Sequence, residues 1–193
     1  MELKDKETSL NLLVSFNRKM QNFGKYRQYA SIARKEGYIQ IEEIFLETAE
    51  NEYQHGKLFF RFLNEHLKGQ KLQATQSYKI QIGNTMDNLK DSIETEREEN
   101  SVLFPAFESI AKGEKLDDIG NIFKKVSLVD SAHETRFVKL LRNLEDQRVF
   151  KREEEVNWKC TNCGFIHKDN QAPETCPCCD HPKSHFKIFL ENY

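Results

Sequence analysis

Residues 49–55 read AENEYQH and set a carboxylate, Glu52, three positions before an imidazole, His55. Side chains three residues apart lie on the same face of an α-helix, so this pair can bind one metal ion together. The same spacing recurs later in the chain at Asp130 and His133. The sequence therefore predicts two ligand pairs on two different helices.

The apolar residues around the first pair also recur at the same offset. This repetition predicts two related helix pairs, each with a ligand pair on its second helix. The alternative is that these polar side chains only satisfy one another inside a bundle core. The repeated apolar residues are Ile41, Ile44, Phe45, Phe59 and Leu63, matched by Ile119, Ile122, Phe123, Phe137 and Leu141.

Composition restricts the class of protein. The 193 residues are 38% hydrophobic and 31% charged with a net charge of -2, which gives no basic surface for nucleic acid or membrane. No apolar run approaches the roughly 20 residues of a membrane span. The first ten residues, MELKDKETSL, lack the apolar core of a signal peptide, so a cytoplasmic protein is expected.

Apolar residues at helical spacing predict four helices. Two helical hairpins joined by one long crossover, over residues 68–82, make a mainly α, ferritin-like four-helix bundle covering residues 1–146. A linker over residues 147–157 and a small metal-binding domain over 158–193 are expected to follow. The first helix should end near Gly37, the second should span about 40–67, the third should begin near Asn84 and bend at Pro105, and the fourth should span about 116–146.

All five cysteines lie between residues 160 and 179, in a pattern typical of a metal site rather than of disulfides. Two Cys-x-x-Cys pairs supply four thiolates to one tetrahedral ion, either iron or zinc, and zinc as a purely structural ion stays an alternative. Cys178 is the odd thiol and is expected to have no ligand role. The four predicted ligands are Cys160, Cys163, Cys176 and Cys179.

The bundle contains a second candidate site. Inward carboxylates are costly unless they are paired or bind a metal, and a cage rich in carboxylates suits two iron or manganese ions. On the first helix, however, the inward position at this depth is Lys19, between Phe16 and Phe23. Lys19 is expected either to pair with Glu52, Glu96 or Glu99 or to extend out of the bundle. The six predicted ligands are Glu52, His55, Glu96, Glu99, Asp130 and His133.

Over essentially its whole length the chain resembles the rubrerythrin family. The resemblance rests on Glu52-x-x-His55, on Glu96-x-x-Glu99, on FPAF at residues 104–107, and on the tail from WKC at 158–160 to CPCCDHP at 176–182. It implies a di-iron bundle joined to a rubredoxin-like iron centre, and reduction of hydrogen peroxide to water. It also implies a homodimer in which the rubredoxin-like module of one chain faces the bundle of the other. Electrons would come from rubredoxin or an NAD(P)H-linked reductase and enter through the four-cysteine iron.

The resemblance also implies roles for the bundle residues. Glu52 and Asp130 would bridge two irons, and Glu96 and His133 would be terminal ligands of one of them. The other iron would take Glu99 or His55, together with a glutamate at the position of Lys19, and Tyr26 would lie near the site. Three residues depart from the family pattern: Lys19, Asp130 in place of a glutamate, and Phe104 in place of a tyrosine.

Lys19 leads to two functional hypotheses. The first is a peroxide-reducing enzyme that tolerates the altered site. The second is a weakened or inactive relative in which the lysine replaces part of the charge of the second metal, so that the bundle holds one ion or none and the protein acts in electron transfer or metal binding. An iron store shares the bundle but leaves the four-cysteine module unexplained.

Overall fold

A computed structural model describes residues 3–191 of the chain. The mainly α, ferritin-like fold predicted from the sequence is confirmed, with a small strand-rich module after it. Among the described residues, none of the helices has the length and apolar character needed to cross a membrane. The helices are α1 (Glu7–Lys35), α2 (Ile39–Leu67), α3 (Thr85–Glu98), α4 (Phe104–Gly113) and α5 (Asp117–Glu145).

The helices form two antiparallel hairpins, as expected. The α1–α2 connection is short because Gly37 adopts a φ of 84°, a left-handed conformation that glycine reaches without steric cost. Residues 70–84 cross to the second hairpin without regular structure. Asn84 then caps α3 by accepting a hydrogen bond from the Asp87 backbone amide at 2.9 Å.

A π-helical turn, Glu99–Leu103, separates α3 from α4. The bend expected at Pro105 is therefore preceded by this turn, and the proline lies in the first turn of α4, where its missing N–H is tolerated. The Ser127 hydroxyl donates to the Asn100 carbonyl at 2.9 Å, which satisfies one backbone acceptor in the turn. Turns of this kind are frequent at functional sites, and Glu99 lies at its first position.

Two apolar clusters fill the bundle, one on each side of its middle. One contains Leu12, Phe59, Phe104 and Phe123, and the other is built around aromatic and aliphatic residues from the opposite end. Between them lies a layer of buried polar side chains. The second cluster includes Tyr26, Tyr29, Phe45, Leu89 and Phe137.

The C-terminal module is a three-stranded antiparallel sheet in the order β2-β1-β3. Strand β1 (Lys151–Cys160) begins inside residues 147–157, so the linker expected there is largely replaced by strand. The strand is highly charged because most of its side chains are exposed, and a charged run of this kind is also typical of a linker. The other strands are β2 (Ile166–Gln171) and β3 (Phe186–Ile188).

The module packs against the start of α2. Lys187 on β3 forms an ion pair of 2.6 Å with Glu43, and the rings of Tyr38 and Phe150 stack with centroids 6.3 Å apart. Glu43 lies nine residues before Glu52, which corresponds to about 14 Å along a helix. This contact therefore holds the module well away from the middle of its own bundle.

Candidate metal centres

The four-cysteine site is built from two turns with the same backbone pattern. The Cys160 amide donates to the Phe165 carbonyl at 2.8 Å, and the Cys176 amide donates to the His181 carbonyl at 2.8 Å. The residue four positions after each of these cysteines has a positive φ, 81° at Gly164 and 56° at Asp180. The two turns present their thiols to a common centre.

The sulfur separations match a tetrahedral ion. Sγ of Cys160 lies 3.8 Å from that of Cys179, and Sγ of Cys163 lies 3.7 Å from that of Cys176. Sulfurs about 2.3 Å from one ion at tetrahedral corners lie about 3.8 Å apart, so the site fits iron or zinc. The fifth thiol, Cys178, is exposed and outside this group.

The thiols of the site differ in acidity. A backbone hydrogen bond from His181 lowers the pKa of the Cys179 thiol to about 6. A backbone hydrogen bond from Phe165 also acts to lower the pKa of the Cys163 thiol, but contacts with the other cysteines outweigh it and raise that pKa. Cys179 is therefore the first of the pair to become a thiolate, the form that binds metal. Trp158 and Phe186 are fully buried against the cluster, and Phe165 packs beside them. The module thus has a small core of its own, completed by the site.

The second candidate site lies in the polar layer of the bundle. Glu52, Glu96 and Asp130 are fully buried there, and His133 is almost so. They offer one ligand atom each within a group no wider than 4.8 Å. These residues come from α2, α3 and α5, so the site exists only when both hairpins have folded together. We call this group the metal-binding part of the cage, because its atoms are placed so that they could hold one ion.

Two buried atoms in this part have no hydrogen-bond partner among the described residues: Oε2 of Glu96 and Nδ1 of His133. They lie 3.5 Å apart, and the same nitrogen lies 3.7 Å from Oε1 of Glu52 and 4.0 Å from Oδ1 of Asp130. Unsatisfied polar atoms in a protein core are costly, and a metal ion between them removes that cost. The geometry and the oxygen and nitrogen donors fit one divalent ion such as iron.

Two further residues orient these ligands. The His133 Nε2 lies 3.2 Å from Oδ1 of Asn51, so a proton on that nitrogen leaves Nδ1 free to bind metal. The Tyr26 hydroxyl donates to Oε1 of Glu96 at 2.6 Å, which leaves Oε2 facing the site. Asn51 was missed in the sequence because nothing in its spacing relates it to His133 on α5.

Burial has the largest influence on the ionisation of these groups. It lowers the pKa of His133 to about 4 and also lowers that of His55, so both imidazoles are neutral at pH 7. Burial, reinforced by the negative charge of Glu52, raises the pKa of Glu96 and of Asp130 well above the usual carboxyl range. Binding of a divalent ion would displace protons from these carboxyls.

The remaining part of the cage contains Lys19, which is fully buried and does not extend to solvent. Its Nζ donates to Oε2 of Glu99 at 2.7 Å and to both carboxylate oxygens of Asp130 at 2.8 Å, and it lies 2.9 Å from Oε2 of Glu52. Burial opposes its charge, but these carboxylates together raise its pKa well above the usual value. Asp130 was not among the partners expected from the sequence, whereas Glu96, which was, is not paired with Lys19.

Glu99 is held by three donors from α1. Besides Lys19, Nε of Arg18 donates to Oε1 at 2.9 Å and the Asn22 side chain donates to the same oxygen at 3.1 Å. The site therefore divides the six predicted ligands. Glu52, Glu96, Asp130 and His133 come together as one group that could hold a metal ion. Glu99 instead faces Lys19, and His55 lies 3.2 Å from Glu52 at the edge.

A helical bundle with a carboxylate and histidine cage, followed by a four-cysteine module, defines a class of non-haem iron proteins. The chain matches the family model for Rubrerythrin over residues 11–159, and that for the rubredoxin-like domain of rubrerythrin over residues 158–187. It is 42% identical to a rubrerythrin of Clostridium perfringens, over 99% of this chain and 98% of that protein. The chain belongs to the rubrerythrin family.

Other relatives agree with this assignment. The rubrerythrin of Nitratidesulfovibrio vulgaris is 36% identical over 99% of this chain and 98% of its own length. Among solved structures, a partially reduced nigerythrin has a TM-score of 0.64 at 26% identity, over 97% of this chain and 92% of that one. Symerythrin from Cyanophora paradoxa shares the fold, with a TM-score of 0.62 at 18% identity, over 72% of this chain and 86% of that one.

Proposed function

We propose that the protein is a rubrerythrin-type non-haem iron oxidoreductase that reduces hydrogen peroxide to water. The reaction consumes two electrons and two protons for each peroxide and releases two water molecules. Electrons would enter at the four-cysteine iron and pass to the cage in the bundle. The observation that carries the proposal is that one chain combines a four-thiol site with a buried cage whose two unsatisfied ligand atoms face each other.

The residues of the cage have different proposed roles. Glu52, Glu96, Asp130 and His133 would hold the bundle iron. Iron bound there would supply reducing electrons and a Lewis-acidic position for a peroxide oxygen. Tyr26 fixes the orientation of Glu96 through its short hydrogen bond.

Protons would come from groups at the cage. His55 is neutral because burial lowers its pKa, its Nδ1 lies 3.2 Å from Glu52, and its side chain is 14% exposed. It can therefore exchange a proton between solvent and the cage. Glu96 and Asp130 would give up their protons when a metal binds, so His55 is the proton-exchanging group of the loaded cage.

A cavity between α1, α3 and the crossover offers a route for peroxide. It has a volume of about 380 Å³, and its wall includes Arg18 and Asn22, the same side chains that contact Glu99. The cavity is thus separated from the cage by one layer of side chains. Its other lining residues include Lys25, Tyr78, Asp91 and Glu98.

The proposal includes a homodimer and an external electron donor, either rubredoxin or an NAD(P)H-linked reductase. The four-cysteine module packs against Glu43, about 14 Å along α2 from Glu52. Because electron transfer weakens steeply with distance, a second copy that brings its own module nearer to this cage would make the transfer faster.

The second candidate function is electron transfer or metal binding with little peroxide turnover. The observation that favours it is the ammonium group of Lys19 inside the cage, paired with Glu52, Glu99 and Asp130. A cage with fewer metals stores fewer electrons. The protein would then exchange electrons at its four-cysteine iron alone.

Peroxide consumption by the iron-loaded chain, supplied with a reduced rubredoxin, separates these functions. Turnover is expected in the wild type and a loss of at least about tenfold in Glu96→Gln, because that substitution removes a cage ligand. The control is Glu65→Gln, an exposed position near the end of α2 and outside the proposed peroxide route, which should keep the wild-type rate. Equal rates of peroxide consumption in the wild type and Glu96→Gln would contradict the proposal. Rapid electron exchange at the four-cysteine iron without peroxide consumption would favour the second candidate function.

A further inference from the structure

The position of the Lys19 ammonium is the starting point. An ammonium group has three N–H donors, and Nζ of Lys19 has three carboxylates within 2.9 Å: Glu52, Glu99 and Asp130. These include the carboxylates that the family resemblance gives to one of the two irons. A cation that is fully hydrogen-bonded already stands among them. A metal ion placed among all three carboxylates would lie against the ammonium and be repelled by it. Glu52 and Asp130 still have lone pairs for an ion on the other side, where Oε1 of Glu52 and Oδ1 of Asp130 lie 3.7 and 4.0 Å from Nδ1 of His133.

The charges of the cage also favour one divalent ion over two. Glu52, Glu96, Glu99 and Asp130 carry four negative charges when ionised, and all are fully buried. Lys19 returns one positive charge, and Arg18 divides a second between Glu99 and the exposed Glu98. Between two and three negative charges remain, most of which one divalent ion balances. A second divalent ion would give the buried cage a net positive charge, which is strongly unfavourable.

The free ligand atoms are also unevenly distributed. Both oxygens of Glu99 accept hydrogen bonds from α1, from Lys19 on one side and from Arg18 and Asn22 on the other. Glu99 is therefore already satisfied. By contrast, Oε2 of Glu96 and Nδ1 of His133 are the cage atoms that lack a hydrogen-bond partner among residues 3–191. The demand for a metal is confined to one part of the cage.

We infer that the bundle of this protein binds one divalent metal ion, held by Glu52, Glu96, Asp130 and His133, and that the ammonium of Lys19 permanently takes the place of a second. Arg18 and Asn22 support this arrangement as positioning residues, because they hold Glu99 toward Lys19. Phe104 contributes as well, since the ammonium lies 5.2 Å from the centre of its ring, within reach of a cation–π contact. The inference rests on the cage geometry and does not require the proposed peroxide reaction.

Manganese binding to the full-length chain tests whether the bundle binds one metal ion or two. With zinc in the four-cysteine site, added Mn²⁺ reports the bundle alone, because thiolates favour zinc and a carboxylate cage suits manganese. The wild type is expected to bind one Mn²⁺ per chain, and Lys19→Glu is expected to bind two. Arg27→Glu makes the same change of charge at an exposed position of α1 and should still bind one.

The electron paramagnetic resonance spectrum of the wild type decides the question even if Lys19→Glu does not fold. One isolated Mn²⁺ gives an uncoupled six-line signal, whereas two ions sharing carboxylates give an exchange-coupled spectrum. Two coupled ions in the wild type, no bound manganese in the wild type, or a single ion in folded Lys19→Glu would each overturn the inference. A chain that binds one Mn²⁺ but reduces no peroxide when loaded with iron would support the inference and remove the proposed reaction.

Discussion

The two candidate metal centres differ in how their ligands are held together. The sulfurs of the four-cysteine site contact one another and the Asn162 amide, and the site lies at the surface of a module with a very small core. The bundle cage lies between two large apolar clusters and contains Lys19 as an internal cation. The module therefore depends on its ion for stability, while the bundle keeps much of its structure without one.

Loss of a cysteine ligand should produce the largest effect. Cys176→Ser is expected to release the ion and unfold the module, because binding of a structural metal supplies on the order of 10 kcal/mol to such small domains. Thiolate absorption should disappear while the helical circular dichroism and its melting transition remain. Cys178→Ser is the matched control, because Cys178 is exposed and outside the ligand group. Unfolding of the helices in Cys176→Ser would contradict the independence of the two regions.

The next largest effect is expected from Lys19→Met. Methionine keeps an unbranched side chain but leaves Glu52, Glu99 and Asp130 without their common cation. Removing one partner of a buried ion pair costs about 3–5 kcal/mol, so the metal-free bundle should lose about that much free energy of unfolding at pH 7.

Urea denaturation followed by circular dichroism measures this loss. The control is Arg27→Met, an exposed substitution on the same helix that removes only a cation–π contact with Phe23, so it should change the free energy of unfolding by less than about 1 kcal/mol. Added Mn²⁺ should recover part of the loss in Lys19→Met, because the ion replaces the missing positive charge. If Lys19→Met and Arg27→Met are equally stable, the internal ammonium does not hold the cage together.

The sequence predicted the four-cysteine site well because its ligands are close together in the chain. The spacing of Cys160, Cys163, Cys176 and Cys179 is a local property, and two short turns suffice to assemble the thiols. The bundle fold was predictable for a related reason, since helical spacing of apolar residues specifies which face of each helix is buried.

The contacts inside the cage were less predictable because they join side chains from different helices. The helical spacing of apolar residues placed Lys19 on the buried face of the first helix. It did not determine whether the ammonium group lies in the cage or extends to solvent. Arg18 and Asn22 flank that face, and only the packing of α1 beside α3 brings them to Glu99. The start of β1 at Lys151 was hidden for a different reason, because an exposed strand lacks alternating apolar residues.

A buried carboxylate outside the cage, Asp91 on α3, gives a pH-dependent test of charge balance. Burial raises its pKa, but ion pairs with Lys25 and Lys79 and a hydrogen bond from Tyr29 outweigh burial and lower it. A carboxyl whose folded pKa is depressed stabilises the fold above the unfolded pKa of about 3.9 and loses that contribution as pH falls through the folded value.

Asp91→Asn should therefore destabilise the bundle by about 2–3 kcal/mol at pH 7, and the difference from wild type should shrink below about pH 4. Urea denaturation at several pH values measures this. Glu94→Gln, at an exposed neighbouring position, should show a difference below about 1 kcal/mol at every pH. A difference for Asp91→Asn that stays constant down to pH 2 would show that its ionisation is not what stabilises the fold.

The smallest effect on stability, and the sharpest separation of the two parts of the cage, is expected from Asn51→Ala. Asn51 contacts Nε2 of His133 and not Lys19, so its loss should disturb the orientation of one metal ligand and leave the internal ion pairs intact. Removing such a supporting partner lowers metal affinity by about 10–100-fold, and manganese binding should weaken by that factor while the free energy of unfolding of the metal-free chain changes by less than about 1 kcal/mol. Asn64→Ala, exposed on the same helix, should leave both quantities unchanged. If Asn51→Ala binds Mn²⁺ as tightly as Asn64→Ala, Asn51 does not set the tautomer of His133, and the metal itself does. The metal-binding part of the cage is then less preorganised than the part that holds Lys19.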